Sequence, residues 1–296
     1  MCGFPQKNSI CSAMTFPFAN ATSFPFVKMN GLGNDFVIVA ADHGPFEPSQ
    51  AWVRATADRE RGIGCDQLIA VTPSKRADAA MRIWNADGGE VEACGNAARC
   101  VGWLMMEATG RDGVEIETSA GILRARRAAL GMVTLDMGEP GLDWRDVPLA
   151  WEMDTREIYL DVDPRLGAPG CVSMGNPHVV FFVPDVDTAP VNEAGPVIET
   201  HWLFPRRANV GFAQVTGPHR IRLKVWERGV GQTLACGTGA CAALVAAHRR
   251  GLCERQAVLA MDGGELSVEW RAEDNHVLMT GPVAVEFNGR IPEPRP

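Results

Sequence analysis

Two cysteines stand out because each precedes a glycine and a small polar residue at the head of a helix-forming run. They are Cys94-Gly95-Asn96 in WNADGGEVEACGNAARCVGWLMM and Cys236-Gly237-Thr238 in WERGVGQTLACGTGACAALVAAH. Backbone N–H groups at a helix start lack intrahelical partners and carry partial positive charge. They bind carboxylate or phosphate and lower the pKa of a thiol placed there. Glycine lets a ligand approach the backbone closely. The pattern therefore supplies a reactive thiol and an anion site together. A lone cysteine near an apolar helix is more often a small buried residue, and Cys65, Cys100, Cys171, Cys241 and Cys253 are read that way. Duplication could preserve two structural cysteines, but it would not explain the polar residues that flank Cys94 and Cys236.

The elements that must position these thiols repeat along the chain. At a constant offset of 142 residues, Trp84 falls on Trp226, Gly89 on Gly231, Ala93-Cys94-Gly95 on Ala235-Cys236-Gly237 and Ala98 on Ala240. The same offset carries Asn34 onto Asn176 and Gln67 onto Asn209. Such a repeat predicts two pseudo-symmetric α+β domains. Alternating or β-branched runs predict strands in FVIVAAD, MRIWNAD, VEIETSA and MVTLDMG, and again in REIYLDV, HVVFFV, IRLKVWE and ELSVEW. Gly95 to about Met106 and Gly237 to about Arg250 are apolar around most of their circumference, as a helix enclosed by a curved sheet must be. A further helix is expected from Ser49 to about Arg61. The expected division is an N-terminal extension over 1–25, a first half over 26–138 joined by the tail 283–296, and a second half over 139–282. Turn residues place the linker in 138–148.

If the halves pack face to face, the two helix starts meet across a cleft. Two equivalent acid/base groups there suit removal of a proton from one face of a carbon and its return to the other, which is racemisation or epimerisation. The helix ends would stabilise a substrate carboxylate as charge develops on it.

Bulk properties exclude several other classes. A net charge of −8 argues against nucleic acid as a main partner, and no run approaches the roughly 18 apolar residues of a membrane span. The nine cysteines are odd in number and irregularly spaced, with no C-x-x-C, so neither a secreted disulfide scaffold nor a structural zinc site is expected. Reduced thiols in the cytoplasm fit better. The opening 25 residues lack a clean apolar core for a secretory signal, and Met14 is an alternative start.

The motifs KMNGLGNDFVIV, NADGGEVEACGNAARC, SMGNPH, RANVGFAQV and WERGVGQTLACGTGACAA, in this order, resemble the diaminopimelate epimerase family from about Lys28 nearly to the C-terminus. The resemblance implies two domains, each a β-barrel-like sheet around a central helix, with the active site in the interdomain cleft. It implies cofactor-independent interconversion of LL- and meso-diaminopimelate, in lysine and peptidoglycan precursor synthesis, by a homodimer holding no metal. On this resemblance Cys94 and Cys236 match the catalytic pair. Gly95-Asn96 and Gly237-Thr238 match the donors to the reacting carboxylate, and Asn34, Gln67, Asn85, Asn176, Asn209, Glu227 and Arg228 match substrate-binding positions. Arg228 would take the distal carboxylate and Glu227 the distal ammonium. His178 matches a residue near the thiols, or is a hydrogen-bonded core histidine. Without the resemblance, Asn34 and Asn85 read as turn residues and Glu227-Arg228 as a surface pair.

Asn30, Cys65, Ala97 and Gln232 depart from the commonest family pattern. A proline-type racemase with paired cysteines remains an alternative, although it needs no clamp for a second charged end. A pyridoxal phosphate racemase is disfavoured because the chain has only four lysines, and neither Lys28 nor Lys224 has an evident Schiff-base setting. CGTGA lacks a full nucleotide-binding motif. A non-catalytic amino-acid-binding protein would share the polar residues but would not need two thiols.

Overall fold

The computed structural model describes residues 23–41, 46–91, 94–129, 131–292 and 294. In chain order its elements are β1 (Ser23–Gly31), β2 (Asn34–Ala40), α1 (Gln50–Ala57), β3 (Gln67–Thr72), β4 (Ala79–Asn85), β5 (Glu90–Val91), α2 (Gly95–Thr109), β6 (Gly113–Thr118), β7 (Gly121–Ala129) and β8 (Met132–Asp136). There follow β9 (Gly170–Ser173), β10 (Pro177–Phe182), α3 (Val191–Glu199), β11 (Asn209–Gly217), β12 (Arg220–Glu227), β13 (Gly231–Thr233), α4 (Gly237–Arg249), β14 (Gln256–Met261), β15 (Gly264–Trp270), β16 (Val277–Pro282) and β17 (Ala284–Pro292). None of these helices is long and apolar enough to cross a membrane.

The chain divides into two compact units. Unit 1 comprises Met1–Val133 with Val283–Pro296, and unit 2 comprises Thr134–Pro282. In unit 1, β17 pairs antiparallel with β1, β1 with β2, β3 with β4 and β6 with β7, while β2–β3 and β4–β6 are parallel. Parallel neighbours need a crossover, and α1 and α2 lie within those connections. Unit 2 repeats the plan. β9–β10, β11–β12, β14–β15 and β15–β16 are antiparallel, and β10–β11 and β12–β14 are parallel across α3 and α4.

Each long helix is enclosed by its own sheet. α2 touches β1, β2, β6 and β7, and α4 touches strands from β9 to β16. Hence Ala240 through Ala247 of α4 are all buried, and hydrophobic burial on every side fixes the helix axis against the strands. Separate apolar clusters support the outer faces: Phe46, Val53, Ala57, Leu68 and Trp84 in unit 1, and Ile158, Phe181, Ile198, Phe204 and Phe212 in unit 2.

Several expectations need correction. Residues 23–25 are not an extension: they open β1, where Ser23 is opposite Pro292. Residues 1–22 lie outside the described residues. The helix expected to reach Arg61 ends at Ala57, because the Asp58 carboxylate takes the N–H groups of Glu60 and Arg61 and turns the chain. REIYLDV forms no strand, although Ile158 and Leu160 are buried and Tyr159 is 79% exposed as alternation requires. The segment 138–148 belongs to unit 2: Gly141 bridges Ser173, and Val147 joins the apolar cluster.

Candidate active site

In unit 1 the antiparallel β3–β4 pair sets Gln67 directly opposite Asn85, and the Gln67 amide donates to Asn85 Oδ1 at 2.9 Å. Cys94 is the N-cap of α2, with extended backbone (φ −147°, ψ 113°). Two residues on, the Asn96 amide is buried and donates to Asn34 Oδ1 at 2.8 Å. Asp66 takes the Asn34 amide at 3.4 Å and the Asp35 N–H at 2.9 Å, which fixes the start of β2 to the start of β3. Among the described residues, Gln67 Oε1 and Asn96 Oδ1 are buried acceptors that receive no hydrogen bond. An orphaned buried acceptor is costly, so both suit a ligand bearing N–H groups.

Unit 2 builds an equivalent set with more charge. Cys236 caps α4 with φ −131° and ψ 110°, and its sulfur lies 3.6 Å from the Thr238 hydroxyl. That hydroxyl also accepts from Asn176 at 3.4 Å. Asn176 Oδ1 in turn meets His178 Nε2 at 3.0 Å. Asn209, in register with His178 on the parallel strand, donates to the Pro177 carbonyl at 3.0 Å and accepts the Arg228 N–H at 2.9 Å. Glu227 accepts the Thr233 hydroxyl at 2.6 Å. The exposed Arg228 guanidinium donates to the Arg206 carbonyl at 3.0 Å.

The electrostatics follow from burial. Burial pushes the Cys236 thiol well above its ordinary pKa, and the Glu227 charge adds to this, while the Thr238 hydroxyl and Gly239 N–H act in the opposite sense. Burial also raises Glu227. His178 is driven down to about 3 by burial, with the Arg228 charge adding to the effect, so it is a neutral imidazole near pH 7. Cys65 and Cys100 are pushed up by burial to about 11 and about 12, respectively. A buried thiol held protonated is a poor nucleophile, and Cys171, Cys241 and Cys253 are likewise buried. Burial alone does not set these thiols apart, since Cys236 is buried too; what separates them is place, because Cys94 and Cys236 are the N-caps of α2 and α4, whereas Cys65 lies between α1 and β3. Asn30 braces the β1–β2 turn through Asp35 and Gly33, Ala97 is buried in the first turn of α2, and Gln232 is exposed on β13.

In unit 1 hydrogen bonds thus join Asn34 to Asn96 and Gln67 to Asn85, with Cys94 and Gly95 opening the helix that carries Asn96; in unit 2 they join Cys236 to Thr238, Thr238 to Asn176, Asn176 to His178 and Asn209 to Arg228, with Gly237 opening α4. Sequence reading missed Asp66 and Thr233. Asp66 precedes Gln67 in GCDQ and was legible only as its neighbour; Thr233, opposite Val225 in the β12–β13 hairpin, reaches Glu227 diagonally on the same face.

The sequence model of the diaminopimelate epimerase family matches residues 26–142 and again 170–286. A Diaminopimelate epimerase of Phenylobacterium zucineum is 63% identical over 272 residues, covering 90% of this chain and 98% of that relative. Among solved structures, a phenazine biosynthesis protein of the PhzF family from Enterococcus faecalis superposes with a TM-score of 0.67 at 13% identity, over 91% of this chain and 99% of that one. A hydroxyproline epimerase from Agrobacterium vitis, with bound trans-4-hydroxy-L-proline, gives 0.64 at 17% identity, over 94% and 95%. At these identities the two structures speak for the fold, two repeated α+β domains. The sequence matches go further: the chain belongs to the diaminopimelate epimerase family, a family of isomerases.

Proposed function

We propose that the protein interconverts LL- and meso-diaminopimelate without a cofactor, with Cys94 and Cys236 as paired acid and base at one α-carbon. The observation that carries this reading is the thiol at the N-cap of the central helix in each unit, followed two residues later by Asn96 or Thr238. One sulfur as thiolate removes the α-proton, the other as thiol delivers a proton to the opposite face, and the roles exchange in the reverse direction. The helix starts at Gly95-Asn96 and Gly237-Thr238 receive the α-carboxylate as it takes up charge.

Cys236 rests as the thiol because burial and Glu227 disfavour its anion. The same carboxylate, raised by burial and accepting from that thiol, is the group placed to take its proton when the reaction runs the other way. The orphaned oxygens of Gln67 and Asn96 suit the substrate ammonium, with Asn34, Asn85, Asn176 and Asn209 completing the polar lining. Arg228 supplies a fork for the distal carboxylate. Neutral His178 braces Asn176. On this reading the enzyme works in the cytoplasm as a homodimer, on a small-molecule substrate, in lysine and peptidoglycan precursor synthesis.

The test is exchange in heavy water: reduced enzyme with LL-diaminopimelate, followed by NMR at the α-hydrogens and chiral analysis. Deuterium at one stereocentre with appearance of the meso isomer is expected. Absence of exchange in folded, reduced protein sinks the assignment, and turnover of proline or hydroxyproline instead would favour the proline-type racemase.

A further inference from the structure

The second half contains a buried acid that the chemistry above does not use. Glu199, the last residue of α3, is 6% exposed. One carboxylate oxygen accepts the Trp226 indole N–H at 2.8 Å, and the other accepts the Gly229 backbone N–H at 3.0 Å. Those two donors flank Glu227 and Arg228 on either side. The Arg207 guanidinium lies 3.5 Å from the second oxygen, and the Glu199 carbonyl accepts the Ala208 N–H at 3.3 Å. Glu199 therefore ties α3 to both chain segments that Asn209 and Arg228 join. One turn earlier on α3, a Cβ on Gly195 would lie 2.7 Å from the Trp226 ring, so the indole rests directly on the helix.

The duplicated scaffold supplies a control. Unit 1 has Ala57 and Val53 where unit 2 has Glu199 and Gly195, and Asn85-Ala86 where unit 2 has Glu227-Arg228. Ala57 and Val53 are buried in an apolar cluster. The acid thus occurs in the half whose equivalent turn carries a carboxylate and a guanidinium.

We infer that Glu199 is a positioning residue, which holds the Trp226–Gly229 turn so that Glu227 stays beside Cys236 and Arg228 meets the second charged end of the substrate. The inference rests on the functional reading above for the identity of that substrate. A carboxylate offers two acceptors to two converging N–H donors, and hydrogen bonds to a charged group are stronger than neutral ones. Glutamine in its place offers one acceptor and turns an NH2 toward the remaining donor.

The experiment uses Glu199→Gln in the full chain. Amide exchange over residues 226–230 should accelerate on the order of tenfold, with β10 and β14 unchanged. The KM for LL-diaminopimelate should rise roughly tenfold while kcat falls less than about threefold. In an Arg228→Ala background the same substitution should change KM by less than about twofold, because the two residues act through one turn. Unchanged exchange and KM overturn the inference, as does a fully multiplicative effect with Arg228→Ala. A wild-type protein inert toward diaminopimelate would instead sink the functional reading, and the amide exchange alone would then decide the positioning. Should Glu199→Gln not fold, Trp226→Phe removes the indole donor while keeping an aromatic ring against α3. It should give a smaller rise in KM and faster exchange at Gly229, and wild-type values for both would overturn the inference.

Discussion

The two units use one backbone plan to hold different chemistry at equivalent positions. In unit 1 the Asn96 amide donates to Asn34, whereas in unit 2 Asn176 donates to Thr238. The same pair of positions is bonded with donor and acceptor exchanged. Gln67 bonds straight across to Asn85. Their counterparts Asn209 and Glu227 turn instead to the Arg228 N–H and the Thr233 hydroxyl. Phe36 in unit 1 corresponds to His178, Val53 to Gly195 and Ala57 to Glu199. The first unit therefore offers an amide lining braced from behind by Asp66, while the second carries an acid, a guanidinium and the buried groups that hold them. Sheet register and the enclosed helix were kept between the halves. The side chains around them diverged.

The largest expected effect breaks a chemical feature the units share, the thiol at the N-cap of each central helix. Cys94→Ala or Cys236→Ala should each lower turnover by at least ~10²–10⁴-fold, the range for loss of a general acid or base, with wild-type circular dichroism. Near-normal epimerisation by either variant in a chiral assay would end the two-base assignment. A second substitution transplants unit 1 into unit 2. Gly195→Val should destabilise the protein by about 1–3 kcal/mol, because the new side chain meets the Trp226 ring; urea unfolding measures it, and an unchanged midpoint would show that α3 can move away.

The smallest effect concerns acid. His178 in the folded protein has its pKa depressed to about 3, so protonation favours the unfolded chain. Its contribution is complete above roughly pH 6.5 and is lost as pH falls toward the folded value. His178→Phe, which restores the unit 1 residue, should therefore lose less melting temperature than wild type between about pH 6.5 and 4.5. Parallel calorimetric curves for the two proteins would remove the buried neutral imidazole from the account.

Much of this was legible before the structure. The constant spacing located both helix starts, because an enclosed helix and its flanking strands tolerate few insertions, and α2 and α4 begin 142 residues apart. Period-two burial was readable even in REIYLDV, but strand formation was not: Ile158 finds only the Pro169 carbonyl rather than a neighbouring ladder. α3 went unread because Pro196 interrupts an already short helical pattern. Asn85, Glu227 and Arg228 needed the family resemblance, since their types alone also describe turns and surfaces. Glu199 escaped both routes. An isolated acid in VIETHW looks exposed, and only tertiary packing reveals its two donors.

The discontinuity of unit 1 bears on the order in which the protein can be made. β1 begins at Ser23, yet its partner β17 begins at Ala284 and is joined to it by register pairs and by the Arg290 side chain on Ser23. The ribosome therefore delivers all of unit 2 before it delivers the strand that covers β1. Unit 2 has every one of its strands in a continuous stretch and can close first, while β1 must wait with one edge unpaired, a state that invites pairing with other chains. Folding during synthesis should accordingly run against the direction of the sequence, the later half maturing before the earlier one.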